Sequence, residues 1–244
     1  IILVQAMQFM IYCGGVYYFS KKNGTILSYG EAMAYLPILL FFYGTTYYFL
    51  SIYDSQMAPW ISLALAGFVF LLYLKAREDL QKLESHVMVQ GFFSVVLFHA
   101  GYMELIPGMG KPWLLPLIML GLYISEHYKK VDIIGLPIRI MFFIVAVIEF
   151  FGICWKLLIE ANLYNLLPSI ATIAIGFFYY FGSNKHSKNH EGIFLSLLHI
   201  ISIISLYRLA YDYGSLALSL LWCLYSVVIL LVGYLKNNSI LSTS

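Results

Sequence analysis

Residues 59–77 read PWISLALAGFVFLLYLKAR, and residues 112–130 read PWLLPLIMLGLYISEHYKK. Each opens on Pro-Trp, stays apolar for about four helical turns and closes on basic residues. A bilayer core of about 30 Å asks for about 20 apolar residues per helix. Both runs reach that span if their Tyr and Lys ends snorkel to the interface. The runs do not alternate with period two, which excludes the strands of a transmembrane barrel.

The rest of the chain repeats the message. Hydrophobic residues make up 61% and charged residues 11% of the 244, with a mean hydropathy of +0.84. A soluble domain carries about 25% charged residues. There is too little polar surface here to cover a core in water, so lipid is the solvent that fits. Apolar runs recur at about 1–20, 35–53, 59–75, 87–105, 112–128, 138–159, 162–182, 192–210 and 215–236. The expected fold is all-α: one polytopic membrane domain over 1–244 with about nine transmembrane helices. No loop is long enough to bury a core of its own, and AREDLQKLE is expected as a short amphipathic surface helix.

After the first helix, the runs pair into four hairpins, about 35–77, 87–130, 138–188 and 192–237, each closing on a basic end. That is a helical hairpin repeat. Eleven of the fourteen Lys and Arg residues fall on the hairpin-end side and three, Lys111, Lys156 and Arg208, on the turn side. Basic residues collect in the cytoplasm. The loops around 21–34, 76–86, 129–137 and 183–191 and the C-terminus are therefore expected to be cytoplasmic. Trp60, Trp113 and Trp155 fall at the opposite interface, where an aromatic belt belongs.

Ionisable residues at membrane depth are the first candidates for a site. Glu149 lies about 16 Å into its helix, and Lys156 and Glu160 follow it at i+7 and i+11 on the same face. The functional reading is a proton, ion or headgroup site; the plain one is a buried polar group that fixes helix register. His99 reaches a depth close to that of Glu149, so the two are candidates for pairing. His199 lies shallower, and for both histidines a hydrogen-bonded packing role is the plain alternative. Arg208 and Asp212 form an i,i+4 pair that reads as an interfacial anchor. His186 and His190, in NKHSKNHEG, have the HxxxH spacing but sit in a polar loop with no third ligand, so no metal is expected. Cys13, Cys154 and Cys223 lie in apolar runs without paired spacing, so no disulfide framework is expected. Pro37 and Pro116 fall near first turns, and Pro168 is placed to kink its helix.

Nucleophile elbows, P-loops and diphosphate-holding acidic pairs are missing from the chain. No cofactor is implied, and a net charge of +2 does not favour nucleic acid.

SLLWCLYSVVILLVGYLKNN, residues 219–238, carries Ser219, Trp222, Tyr225, Gly233 and Lys236. The segment resembles a recurring unit of a family of bacterial polytopic membrane proteins, domain of unknown function 2339. Residues 112–130, with Trp113, Gly121, Tyr123 and Lys129, look like a looser copy. The resemblance implies chained helix pairs in a bacterial inner membrane. It also implies an internal piece of a longer protein, since that family's N-terminal coiled coil and its later Lys- and Asp-containing helix have no counterpart here. It assigns no activity to particular residues.

The expected function is a membrane-embedded binding or transport module for lipid or cell-envelope glycan intermediates. Its candidate binding residues are Glu149, Lys156, Glu160, His99, His199, Arg208 and Asp212. One alternative is a non-catalytic scaffold packing against other membrane subunits. Another is an intramembrane enzyme using Glu149 and His99 as acid and base. The expected partners are membrane lipid and other membrane protein subunits.

Overall fold

A computed structural model describes residues 29–75, 86–128, 135–160, 163–182 and 191–235, together with 22–24 and isolated positions between 3 and 18. Among the described residues every regular element is helical. The helices are α1 (Tyr29–Tyr53), α2 (Ala58–Lys75), α3 (His86–Val96), α4 (Leu114–Tyr128), α5 (Leu136–Leu158), α6 (Leu166–Gly182), α7 (Glu191–Ala210) and α8 (Ser215–Leu235). Helix α3 runs on as a π-helix over Leu97–Leu105, and 3-10 turns at Lys111–Trp113, Leu163–Asn165 and Tyr211–Tyr213 flank the later helices.

These helices overlie the apolar runs from 35–53 onward. The run at 1–20, the AREDLQKLE segment, His186, His190 and most of the basic hairpin ends lie outside the described residues. Two boundaries differ from expectation. Helix α1 starts at Tyr29 rather than 35, because Glu31, Ala32, Met33 and Ala34 are good helix formers even though the stretch is less apolar. That takes 29–34 out of the expected loop and puts Pro37 inside the helix. Pro168 is the third residue of α6. It sits in the first turn, where its missing N–H costs nothing, and not at a mid-helix kink.

Among the described residues four helices are long and apolar enough to cross a membrane: Ala34–Tyr53, Leu136–Leu158, Gly192–Tyr213 and Ser215–Tyr234. Ala58–Leu71, Lys111–Gly121 and Leu166–Phe181 are apolar but shorter. Trp60, Trp113 and Trp155 are all exposed.

The chain divides into two compact units. The first comprises residues 1–107 and 131–144. Here α1 packs on α2 and α3, and α2 runs along α3 and its π continuation. Leu39, Ala66, Tyr73, Phe92, Val96 and Ala100 form the core, with Phe70 and Phe93 stacked at 4.5 Å. The α1–α2 turn is closed by the Asp54 carboxylate, which accepts from the N–H groups of Gln56 and Met57 at 2.9 and 3.1 Å.

The second unit comprises residues 108–130 and 145–244. Helix α4 packs along α6, α6 along α7, and α7 along α8. The second half of α5 joins through Ile153 and Leu157, which meet Leu115 and Ile201 in a fully apolar cluster. Gly214, at φ 86°, makes the corner between the Tyr211–Tyr213 turn and α8, a left-handed conformation that favours glycine. The helices of 35–77 share the first unit and those of 192–237 the second, whereas α3 and α4 belong to different units.

Candidate functional site

The second unit holds a seam of buried polar side chains where α6 meets α7. Asn165, Ser169 and Thr172 come from the α6 side and Ser202, Ser205 and Arg208 from α7. Spacings of three and four residues put each set on one helix face. The hydroxyls are mostly satisfied locally. Ser202 donates to the carbonyl of Leu198, Ser205 to that of Ile201 and Thr172 to that of Pro168, each at 2.7 Å. This back-bonding lets serine and threonine stand inside an apolar bundle. Ser205 Oγ also lies 3.0 Å from Ser169 Oγ, tying the two helices together.

The register is antiparallel and well fixed. A Cβ on Gly176 would overlap the Leu198 side chain, and Ser169 meets Ser205 seven residues away along each helix. The same register carries Arg208 to the level of Leu166, the first residue of α6. One end of the seam is therefore a buried guanidinium at the level where α6 begins.

Arg208 is 7% exposed. Its Nε and Nη1 are buried without a hydrogen-bond partner. Nη2 lies 4.0 Å from the Asp212 carboxylate, itself largely in solvent, and the guanidinium sits 5.4 Å from the centre of the Tyr211 ring. The i,i+4 pair is thus present at the limit of ion pairing, while the rest of the cation is enclosed.

His199, on α7, turns toward α8. Its Nδ1 is 2.6 Å from the Tyr225 hydroxyl, and Tyr225 also engages Ser202. The other ring nitrogen, Nε2, is buried without a partner. Phe177 meets the imidazole edge-on. Glu149 is 6% exposed and stands one turn before Ile153 on the α5 face that meets the unit's core. Further along α5, Lys156 is half-buried, and Glu160, beyond its end, is exposed.

His99 belongs to the first unit, in the π-helix. The Ile106 N–H reaches back five residues to the Gly101 carbonyl at 3.1 Å, the bond that widens a π turn. His99 Nδ1 lies 3.0 Å from the Tyr43 hydroxyl on α1, and Tyr47 packs edge-on against its ring at 4.8 Å. A second buried pair stands nearby in sequence: Gln90 Nε2 donates to the Tyr73 hydroxyl at 3.1 Å.

The structure thus brings Arg208 to Asp212 and gives His99 and His199 each a tyrosine partner. Sequence reasoning missed Tyr43, Tyr225, Gln90 and the seam of Asn165, Ser169, Thr172, Ser202 and Ser205. The spacing of the small polar residues on α6 and α7 was the available signal. Among the described residues no group of three or more His, Cys, Asp or Glu side chains is gathered for a metal ion. No family model, curated protein or solved structure matches the chain.

Proposed function

We propose that this is an integral membrane protein whose second unit binds or moves an amphiphilic ligand, of the class of membrane lipids or lipid-linked glycans. One observation carries the reading: two ionisable side chains, Glu149 and Arg208, are buried within one unit of a chain whose exterior is apolar. Charged groups are rare and costly inside apolar helical bundles and are kept there chiefly for a ligand, ion or proton. The seam of hydroxyls between α6 and α7 supports the reading, because it offers polar contacts along a helix pair without disturbing its packing. The nine-helix repeat, cytoplasmic hairpin ends and kinship with domain of unknown function 2339 belong to the same proposal.

Native mass spectrometry of the full chain, extracted gently from its own membrane, tests it. The wild type is expected to carry a lipid or glycolipid adduct that is lost in Glu149→Gln while helical circular dichroism is unchanged. A wild type without any adduct, or a variant that keeps it in full, would sink the reading.

A structural-subunit role is the second reading. It rests on α8, where Leu216, Leu220, Leu224, Val228 and Leu231 are all exposed. It expects a protein of defined mass to co-purify, and to be released by polar substitutions along α8.

A further inference from the structure

We propose that Arg208 is an oxyanion site, built to take a phosphate-class group at the level where α6 begins. The inference deepens the amphiphile-binding reading and rests on it. Two independent features point to an anion. The first is the helix terminus. The opening N–H groups of an α-helix have no intrahelical acceptor, and the helix dipole places partial positive charge there, which is why such ends receive phosphates. The second is the guanidinium, which the Ser169–Ser205 register brings to that same level. Its Nε and Nη1 are buried and unpartnered.

Together these put two positive centres at one level, at the end of the polar seam. Beneath them Leu157, Leu166, Ile201 and Ile204 pack as hydrocarbon. Asp212 offsets it only in part. Its carboxylate faces Nη2 at 4.0 Å and is 70% exposed, hence strongly screened. The two orphan donors lie on different edges of the guanidinium plane. A group with several acceptor oxygens on one centre takes one of those edges through two oxygens and presents another to the N–H groups that open α6, which a single carbonyl does not. Arginine is the side chain suited to such planar, multi-point recognition. A phosphate of this kind comes either from a lipid headgroup or from a free anion.

Thermal unfolding of the full-length chain separates the outcomes. It is run in detergent with inorganic phosphate, in nanodiscs of phosphatidylglycerol, and in nanodiscs of a phosphate-free glycolipid. Stabilisation by inorganic phosphate identifies a free-anion site. Stabilisation by phosphatidylglycerol alone identifies a headgroup site. In either case the effect is expected to vanish in Arg208→Gln and to survive in part in Arg208→Lys. Asp212→Asn, at an exposed side chain that leaves folding intact, is expected to tighten phosphate binding about fivefold by removing a competing charge. The proposal is overturned if Arg208→Gln keeps the full wild-type shift, or if neither phosphate source stabilises the wild type beyond chloride and the glycolipid. Native mass spectrometry of the same preparations tells the two failures apart. An amphiphile retained equally by Arg208→Gln overturns the oxyanion site but spares the binding reading. The absence of any adduct on the wild type sinks both.

Discussion

The Tyr225 hydroxyl lies 2.6 Å from Nδ1 of His199, and the opposite nitrogen of that ring is buried with no partner. The bond is therefore the imidazole's single polar anchor between α7 and α8. Tyr225→Phe removes it and leaves both nitrogens unsatisfied, which costs about 1–3 kcal/mol. Converting His199 to Leu in the same background removes the orphaned groups. The double variant is expected to be more stable than the sum of the two single losses. Denaturant titration in detergent micelles measures all four proteins, and strict additivity would count against the anchor.

Gly176 sits at a close approach in the second unit. A Cβ there would overlap Leu198 of α7 and come within 3.0 Å of the Met119 terminus on α4. Gly176→Ala is expected to cost about 1 kcal/mol as those flexible ends shift. Gly176→Val, which also needs room for two methyl groups, should cost about 3 kcal/mol. Leu198→Ala in the Gly176→Val background is expected to recover part of that loss. If Gly176→Val melts like the wild type, α6 and α7 are not in contact along this register.

Gly135 plays the corresponding part in the first unit. A Cβ at this position would fall on the carboxamide of Gln90, which is buried and bonded to the Tyr73 hydroxyl. Gly135→Ala must displace that carboxamide, with an expected loss of about 1–3 kcal/mol. The test is the double variant with Gln90→Ala, which should be no less stable than Gln90→Ala alone. A further drop in melting temperature on adding Gly135→Ala would show that the clash lies elsewhere.

The helices were legible because apolar run length is a one-dimensional signal. PWISLALAGFVFLLYLKAR predicts a helix whatever surrounds it, and α2 covers Ala58–Lys75. Glu149 and Arg208 were legible as candidates because a charge stands out in such a run. Their surroundings were not. Arg208 and Asp212 at i,i+4 read as a surface anchor, and burial of the guanidinium is a tertiary property that this spacing does not carry. The Ser169–Ser205 bond and the tyrosine partners of His99 and His199 are likewise contacts between helices, which no local spacing encodes. Even α1 shows the limit: its first turns are helical by residue propensity while falling short of the hydropathy that marks the span.

Topology is the part of the sequence reading that a single chemical experiment reaches. The α1–α2 turn is pinned by Asp54 and leaves Ser55 and Gln56 exposed, so a cysteine at Gln56 disturbs neither helix. Cys154 is buried and Cys223 exposed, both as free thiols; together with Cys13 they are first replaced by serine or alanine to clear the background. On the proposed orientation, with the basic hairpin ends cytoplasmic, this turn lies on the opposite side. Gln56→Cys is then expected to react with a membrane-impermeant maleimide added to intact cells. A cysteine at Arg77, on the hairpin-end side, should react only after the membrane is opened. Labelling of Gln56→Cys confined to inverted vesicles would reverse the orientation. It would then place Arg208, at the turn-side end of α7, at the cytoplasmic surface, and the pool from which an oxyanion reaches it would be cytosolic.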